Sequence, residues 1–350
     1  MVIPTYRASR TIREVVDAVY RSQKCAKQHA GSPIQVVVVD DGGNPNLSNK
    51  LSGTPVEIIS TGGSGSAAVA RNLGTEGFAG RFLVFVDADV VVDELCIEKL
   101  LEPLRDGLAE ATVGNYSKEV AGMTFAARYK QLYIARVYER RSGYLHNEFW
   151  TAVGAIDAEV FRGLSGFDSA FKGACGEDSD LGVRLTKSGH RILAVPDAFG
   201  HHRNSLSLRQ LLRNDWLKGL IAMRNYFSSD GSILDNRHAT PRDILAVILA
   251  AALGFALPAY ALSYPALLAG FATGVLFIAY LVCRADLLRT FATQGVWFAL
   301  RACSLMFVLD VMRLTCVATG SGVRLLSRLT GAAHKRRYPS GPAATMQKMS

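Results

Sequence analysis

Two apolar runs in this chain end in paired acidic residues whose spacing suits metal and phosphate chemistry. Phe82-Leu83-Val84-Phe85-Val86 ends in Asp87-Ala88-Asp89. Two carboxylates one residue apart, on a turn after a strand, aim hard oxygen ligands at one ion. Mg2+ and Mn2+ take such ligands together with phosphate oxygens. Val36-Val37-Val38-Val39 ends in Asp40-Asp41-Gly42-Gly43. Alone, Asp40-Asp41 reads as a turn or helix cap, but two carboxylate pairs on one edge favour binding. Glu177-Asp178 follows a stretch holding Gly163, Gly166, Gly173 and Gly176 and precedes the helical pattern Leu181 to Leu185. It reads either as a base that takes a proton from an attacking hydroxyl or as an ordinary helix N-cap.

The elements that must position these residues alternate. Thr11 to Lys27 predicts a helix with Ile12, Val15, Val16 and Val19 on one face. Val56 to Ser60 predicts a strand, followed by a glycine-rich turn and a helix starting at Ala67. Apolar strands separated by helical segments indicate βαβ units with both sheet faces covered. The carboxylates then fall on the C-terminal edge of the sheet, where open α/β sheets bind ligands. Only Val2 and Ile3 precede Pro4, short for a buried strand of about five residues, so the true start is expected upstream.

Composition divides the 350 residues in two. Up to about Arg242 the chain mixes charges, glycines and short apolar runs. Beyond it, Ile244 to Tyr264 and Pro265 to Cys283 carry no charge, and Ser263-Tyr264-Pro265 joins them. Arg237 and Arg242 flank one side, Arg284 and Arg289 the other, which predicts a membrane hairpin with both ends cytoplasmic. Thr290 to Thr319 is long enough to span, but Arg301, Asp310 and Arg313 interrupt it. Such charges are costly unless paired, so this segment is expected in the interface, a third span being the alternative. Arg324, Arg328, Lys335, Arg336 and Arg337 make a basic tail, expected to be cytoplasmic. Gly122 to Arg141 mixes arginines with aromatics and reads as a membrane-surface helix or as an amphipathic helix packed on the sheet.

The net charge of +9 suits acidic headgroups or phosphorylated substrates. No aromatic–basic interleaving marks a nucleic-acid surface, so no nucleic-acid partner is expected. The six cysteines form no close pair and no metal spacing, the pattern of reduced thiols in a cytosol-facing protein.

Taken in order, Pro4-Thr5-Tyr6, Val39-Asp40-Asp41-Gly42, Ala70-Arg71-Asn72-x-Gly74, Asp87-Ala88-Asp89, Gly166-Phe167-Asp168 and Glu177-Asp178-x-Asp180-Leu181-Gly182 resemble family 2 inverting glycosyltransferases. The spacing matches a GT-A fold over residues 2–225. The resemblance implies a Rossmann-like α/β domain with a mostly parallel sheet, followed here by C-terminal transmembrane helices. The expected domains are a catalytic domain at 1–228, a transmembrane or interfacial region at 243–320 and a tail at 321–350.

The resemblance also implies roles. Pro4, Thr5 and Tyr6, with Asp40 or Asp41, would contact nucleobase and ribose, and Arg71 would sit near the base. Asp87, with Ala88 beside it, would face ribose and metal, and Asp89 would ligate Mg2+ or Mn2+ directly. A histidine after the strand-like Ile192 to Pro196 can complete such a metal site, which makes His201 or His202 a third ligand. Asp178 would be the general base, with Glu177 supporting it.

Two departures qualify the resemblance. Processive relatives carry Gln-x-x-Arg-Trp. Here Gln210-Leu211-Leu212-Arg213 is followed by Asn214-Asp215-Trp216, and on a helix two residues turn the Trp about 200° away. Single transfer is therefore expected. Asp157 stands where many relatives place a basic residue. The expected partners are a nucleoside-diphosphate sugar, a lipid-linked or membrane-proximal glycan acceptor, and the cell membrane. A polyprenyl-phosphate sugar synthase and a non-catalytic nucleotide-sugar-binding protein are the alternatives.

Overall fold

Short β-branched runs build the centre of the sheet, because branched side chains pack well on a pleated surface covered on both faces. The computed structural model describes residues 1–6, 10–30, 34–42, 46–141, 143–171, 173, 176–203, 205–228, 240–262 and 266–329. They fall into two units, the first made of 1–121 and 137–203 and the second of 122–136 and the described residues from 205 to 329. The segment 122–136 and the helix after residue 205 group with the second unit.

In chain order the first unit contains β1 (Val2–Thr5), α1 (Ile12–Ala30), β2 (Val37–Asp40), α2 (Leu47–Lys50), β3 (Glu57–Ser60), α3 (Ala67–Leu73), β4 (Phe82–Val86), β5 (Val90–Val92), α4 (Cys96–Arg105) and β6 (Ala111–Tyr116). After α5 (Phe125–Glu139), most of which belongs to the second unit, come β7 (Gly143–Leu145), β8 (Val153–Asp157), α6 (Ala158–Gly163), α7 (Glu177–Lys187) and β9 (Ile192–His202). The described strands form one sheet in the order β3-β2-β1-β4-β8-β6-β9-β5, with β7 also on β9.

The sheet is mixed, which corrects the expectation of a mostly parallel one. Strands β3, β2, β1 and β4 are parallel. Strand β8 then inserts antiparallel between β4 and β6, and β5 and β7 run antiparallel to β9. Phe85, Phe149, Phe161 and Phe167 pack together in the core beneath this junction. Gly74 ends α3 where a Cβ would lie 2.4 Å from a Val2 methyl and 2.9 Å from one of Val39. Its lack of a side chain lets α3 sit close on β1 and β2.

The second unit holds most of α5 together with α8 (Leu208–Ser228), α9 (Pro241–Leu262), α10 (Ala266–Cys283), α11 (Ala285–Ala292) and α12 (Val296–Leu329). Helices cover both stretches expected to form the hairpin, while Ser263-Tyr264-Pro265 and the tail from 330 lie outside the described residues. Among the described residues, Val296–Thr319 of α12 is the one helix long and apolar enough by itself to cross a membrane. Gly270–Cys283 and α11 meet the same measure only together, bent by 69°. The segment assigned to the interface is thus the best spanning segment among those described.

Two of the three charges that argued against a span, Asp310 and Arg313, are paired. Asp310, fully buried, accepts from Arg284 Nε at 3.0 Å and Nη2 at 2.8 Å, from Arg313 Nη1 at 2.7 Å and from the Tyr280 hydroxyl at 3.1 Å. Arg284 Nη1 also reaches Asp243 Oδ1 at 2.5 Å. Burying such ions is tolerable only when every charge finds partners.

Candidate functional site

Asp87-Ala88-Asp89 makes the tight turn from β4 into β5, closed by Val90 N donating to Asp87 O at 3.0 Å. The Thr11 hydroxyl pins the turn by donating to Ala88 O at 3.0 Å. Strand register then selects the histidine. Val90 faces His202 and Val91 faces His201 across β5 and β9, and successive strand residues point to opposite sides. His202 Nε2 lies 3.1 Å from Asp89 Oδ2. His201, the other histidine offered as a third ligand, has its Nε2 2.6 Å from Asp93 Oδ1 and its Nδ1 3.6 Å from Glu119 Oε2.

Whether Asp89 and His202 fit a divalent cation can be tested on geometry. Two adjacent ligands of an octahedral ion, each about 2.1 Å from it, stand about 3.0 Å apart. The Asp89–His202 spacing matches this. Asp87 is also an unfavourable place for an isolated charge. Burial pushes its carboxyl up, Arg71 pulls it back, and Asp89 adds to the rise. A cation would relieve both penalties. Among the described residues no group of three His, Cys, Asp or Glu is placed to hold a metal ion, so a cation here would have Asp89 and His202 as its protein ligands.

Arg71, which the resemblance puts near the nucleobase, is buried in α3 and bonded at both ends. Its Nη2 reaches Asp87 Oδ1 at 2.9 Å and its Nη1 reaches Glu177 Oε1 at 2.6 Å. Burial opposes its charge, but Asp87, Glu177 and Asp178 outweigh that and hold it protonated. The next residue joins two more motifs. Asn72 Nδ2 donates to Phe167 O at 2.8 Å, and Phe167 N donates back to Asn72 Oδ1 at 2.9 Å.

The strand ends that would face a nucleoside lie side by side. Thr5 pairs with Asp40 across β1 and β2, and the buried Thr5 hydroxyl has no hydrogen-bond partner among the described residues. Tyr6 just beyond is exposed. Asp40 Oδ1 accepts from Gly42 N at 3.0 Å. Asp41 is tied into the glycine-rich turn, accepting from the Thr61 hydroxyl, from Ser64 Oγ at 2.5 Å and from Ser66 N at 3.0 Å.

Glu177 and Asp178 open α7. Asp178 Oδ1 accepts from the adjacent Ser179 N at 2.7 Å, but the N-cap is Gly176 and makes no side-chain cap bond, so neither carboxylate is the ordinary cap. Helix α7 is seated by Gly182, where a Cβ would come within 2.5 Å of Phe149 N and 2.8 Å of Glu148 C. Asp157 is an N-cap, accepting from Glu159 N and Val160 N, so its departure from a basic residue serves α6 locally.

Sequence reasoning missed Tyr116 and Trp150. The same strand-end rule that picked out the aspartates would have found Tyr116, the last residue of β6. Burial, with Asp87 and Asp89 nearby, pushes its phenol well above the ordinary range.

An acidic turn, an orphaned hydroxyl beside strand-end aspartates and a carboxylate-bearing helix lie around one sheet edge, an arrangement that suits group-transfer chemistry. Comparison with known proteins makes the class specific. Residues 1–163 match the family described as glycosyl transferase family 2, and residues 134–205 match one described as N-terminal domain of galactosyltransferase. The first 163 residues thus match a family 2 glycosyltransferase domain.

Pre-mycofactocin glycosyltransferase of Mycobacterium tuberculosis is 28% identical over 213 residues, 59% of this chain and 43% of that protein. Glycosyltransferase GlyA of Streptococcus pneumoniae is 23% identical over 273 residues, 71% of this chain and 37% of that protein. The chain thus spans less than half the length of these curated relatives. Mannosyltransferase PcManGT from Pyrobaculum calidifontis, solved with GDP-Man and Mn2+, aligns with a TM-score of 0.50 at 17% identity. The alignment covers 94% of this chain and 86% of that one, and the two share the GT-A type of fold.

Proposed function

We propose that this chain moves a single sugar, with inversion, from a nucleoside-diphosphate sugar to a hydroxyl of a lipid-linked or membrane-proximal glycan. The observation that carries the reading is the Arg71 bridge, which ties the Asp87–Asp89 turn to the first turn of α7. Donor-side and acceptor-side carboxylates are thereby held at one site. Asp178 takes the acceptor proton while the acceptor oxygen bonds the anomeric carbon and the bond to the diphosphate breaks. Thr5 and Asp40 are the nucleoside contacts. Asp89 and His202, with Asp87 behind them, would hold Mg2+ or Mn2+, whose charge would be available to offset that of the diphosphate.

Membrane attachment through the second unit belongs to the same proposal. Val296–Thr319 has the length and composition for it, and Phe271 and Trp297 are 74% and 81% exposed. The α9–α10 hairpin is proposed as a further crossing. The arginines at its flanks support a cytoplasmic catalytic domain by the positive-inside rule.

The test is the product formed when membranes containing the protein receive a panel of labelled nucleoside-diphosphate sugars. A labelled glycan or glycolipid that disappears with Asp89→Ala and with Asp178→Asn is the expected result. Unchanged turnover in both variants sinks the mechanism, and a sugar-phosphate lipid as sole product moves the assignment to a polyprenyl-phosphate sugar synthase.

A further inference from the structure

Beside the Asp89–His202 pair runs a row of aromatic rings that the proposed chemistry does not use. The Tyr116 ring lies parallel to the His202 imidazole, with centroids 4.9 Å apart and planes at 6°. Trp150 stands edge-on to Tyr116 at 4.6 Å, and Tyr138 stacks on Trp150 at 4.7 Å. Arg141 lies 4.7 Å over Tyr138 and pairs with the buried Glu148. Tyr116 itself is 5% exposed, so this contact is fixed by packing.

The arrangement matters because a histidine ring turns through a broad two-fold torsion. Strand register delivers the His202 backbone to the site but does not set the plane of its ring, whereas a ligand nitrogen must point along that plane. A parallel ring packed on one face limits the rotation. Asp89 alone fixes one direction and leaves the ring free to rock about it.

We infer that Tyr116 is a positioning residue that holds the His202 imidazole in the orientation a divalent cation needs, braced by Trp150 and Tyr138. The inference rests on the cation site proposed at Asp89 and His202. The ring, not the hydroxyl, is the working part of Tyr116. Positioning groups around metal ligands are worth about 10-fold or more in metal affinity.

Mn2+ binding to the full chain, followed by the EPR signal of free Mn2+ with excess UDP or GDP present, tests this without any turnover. Tyr116→Phe is expected to bind within about two-fold of the parent, and Tyr116→Leu about 10-fold more weakly. Trp150→Leu, which removes only the brace, is expected to lose about three-fold. If Asp89→Ala and His202→Ala leave Mn2+ binding unchanged, the cation site itself is wrong. If those two weaken binding and Tyr116→Leu does not, the positioning role alone is overturned. Equal losses in Tyr116→Phe and Tyr116→Leu overturn it in favour of the hydroxyl. Should Tyr116→Leu fail to fold, Trp150→Leu decides: parental Mn2+ affinity with a parental melting curve overturns the role.

Discussion

Arg71 and Glu177 meet at 2.6 Å although 106 residues separate them, and each side chain is only 4% exposed. The other end of the guanidinium holds Asp87. A buried ion pair adds little net stability relative to apolar residues, but removing one partner strands the other charge. Glu177→Ala is therefore expected to cost about 3 kcal/mol in urea unfolding. Glu177→Gln keeps an oxygen for Arg71 and is expected to cost about 1 kcal/mol. Equal losses in the two variants would mean that Arg71 does not depend on that acceptor.

The backbone seat of α7 makes a second prediction. Gly182→Ala drives a Cβ to 2.5 Å from Phe149 N, where no flexible side chain can yield. The helix must shift, at a cost of about 1–3 kcal/mol. Because that helix carries Asp178, turnover number is expected to fall more than the donor KM rises, as steady-state kinetics would reveal.

Much of this site is written locally in the chain, and the rest only in long-range pairing. Strand ends at Asp40 and at Val86 follow from β-branched runs that stop at acidic turns. The choice between His201 and His202 depends on β5 meeting β9 in one register, which no neighbouring residue encodes. Likewise the antiparallel insertion of β8 joins segments about seventy residues apart, and apolar β8 reads the same in either direction. Arg71 could be placed on a helix from its neighbours, but its two carboxylate partners come from other elements. The paired charges of Asp310 were invisible for the same reason: hydropathy sees an isolated acid in an apolar helix, not the arginine that meets it.

Asp310 yields a prediction of its own. Asp310→Ala leaves Arg284 and Arg313 without the carboxylate they share, and the loss is expected to approach about 3–5 kcal/mol. A sharply lower melting temperature in detergent, with Arg284→Met in the same chain restoring part of it, is the expected pattern. No rescue by the second change would argue against Arg284, left with Asp243 alone, as the cause.

Acid sensitivity is expected to centre on Asp41. Burial pushes its carboxyl up, but hydrogen bonds from Ser64, Thr61 and Ser66 outweigh that and leave it below the ordinary value. A carboxylate lowered by folding stabilises fully above its unfolded pKa and loses that contribution as pH falls through the folded value. Asp41→Asn is thus expected to cost about 1–3 kcal/mol at pH 7. Chemical unfolding measured from pH 7 down to about pH 2 should bring parent and variant together. A gap that stays constant over this range would rule out ionisation of Asp41 as its source.

Asp178 carries the sharpest test of the proposed chemistry, because two readings predict different outcomes for one variant. A glycan hydroxyl keeps its proton until it attacks, so a base within reach contributes about 10²–10⁴ in rate. A phosphate acceptor is already ionised at neutral pH and needs no base. Asp178→Asn retains the size of the side chain and an oxygen for Ser179 N, which donates to Asp178 Oδ1 at 2.7 Å. The start of α7 and the donor site should therefore survive. The expected result is a turnover number lower by about 10²–10⁴ with a glycan acceptor, alongside parental binding of the nucleoside diphosphate by calorimetry. Loss of nucleotide binding would point to a structural role for Asp178. Parental turnover onto a lipid phosphate would show that the acceptor brings its own charge, and the base assignment would fall.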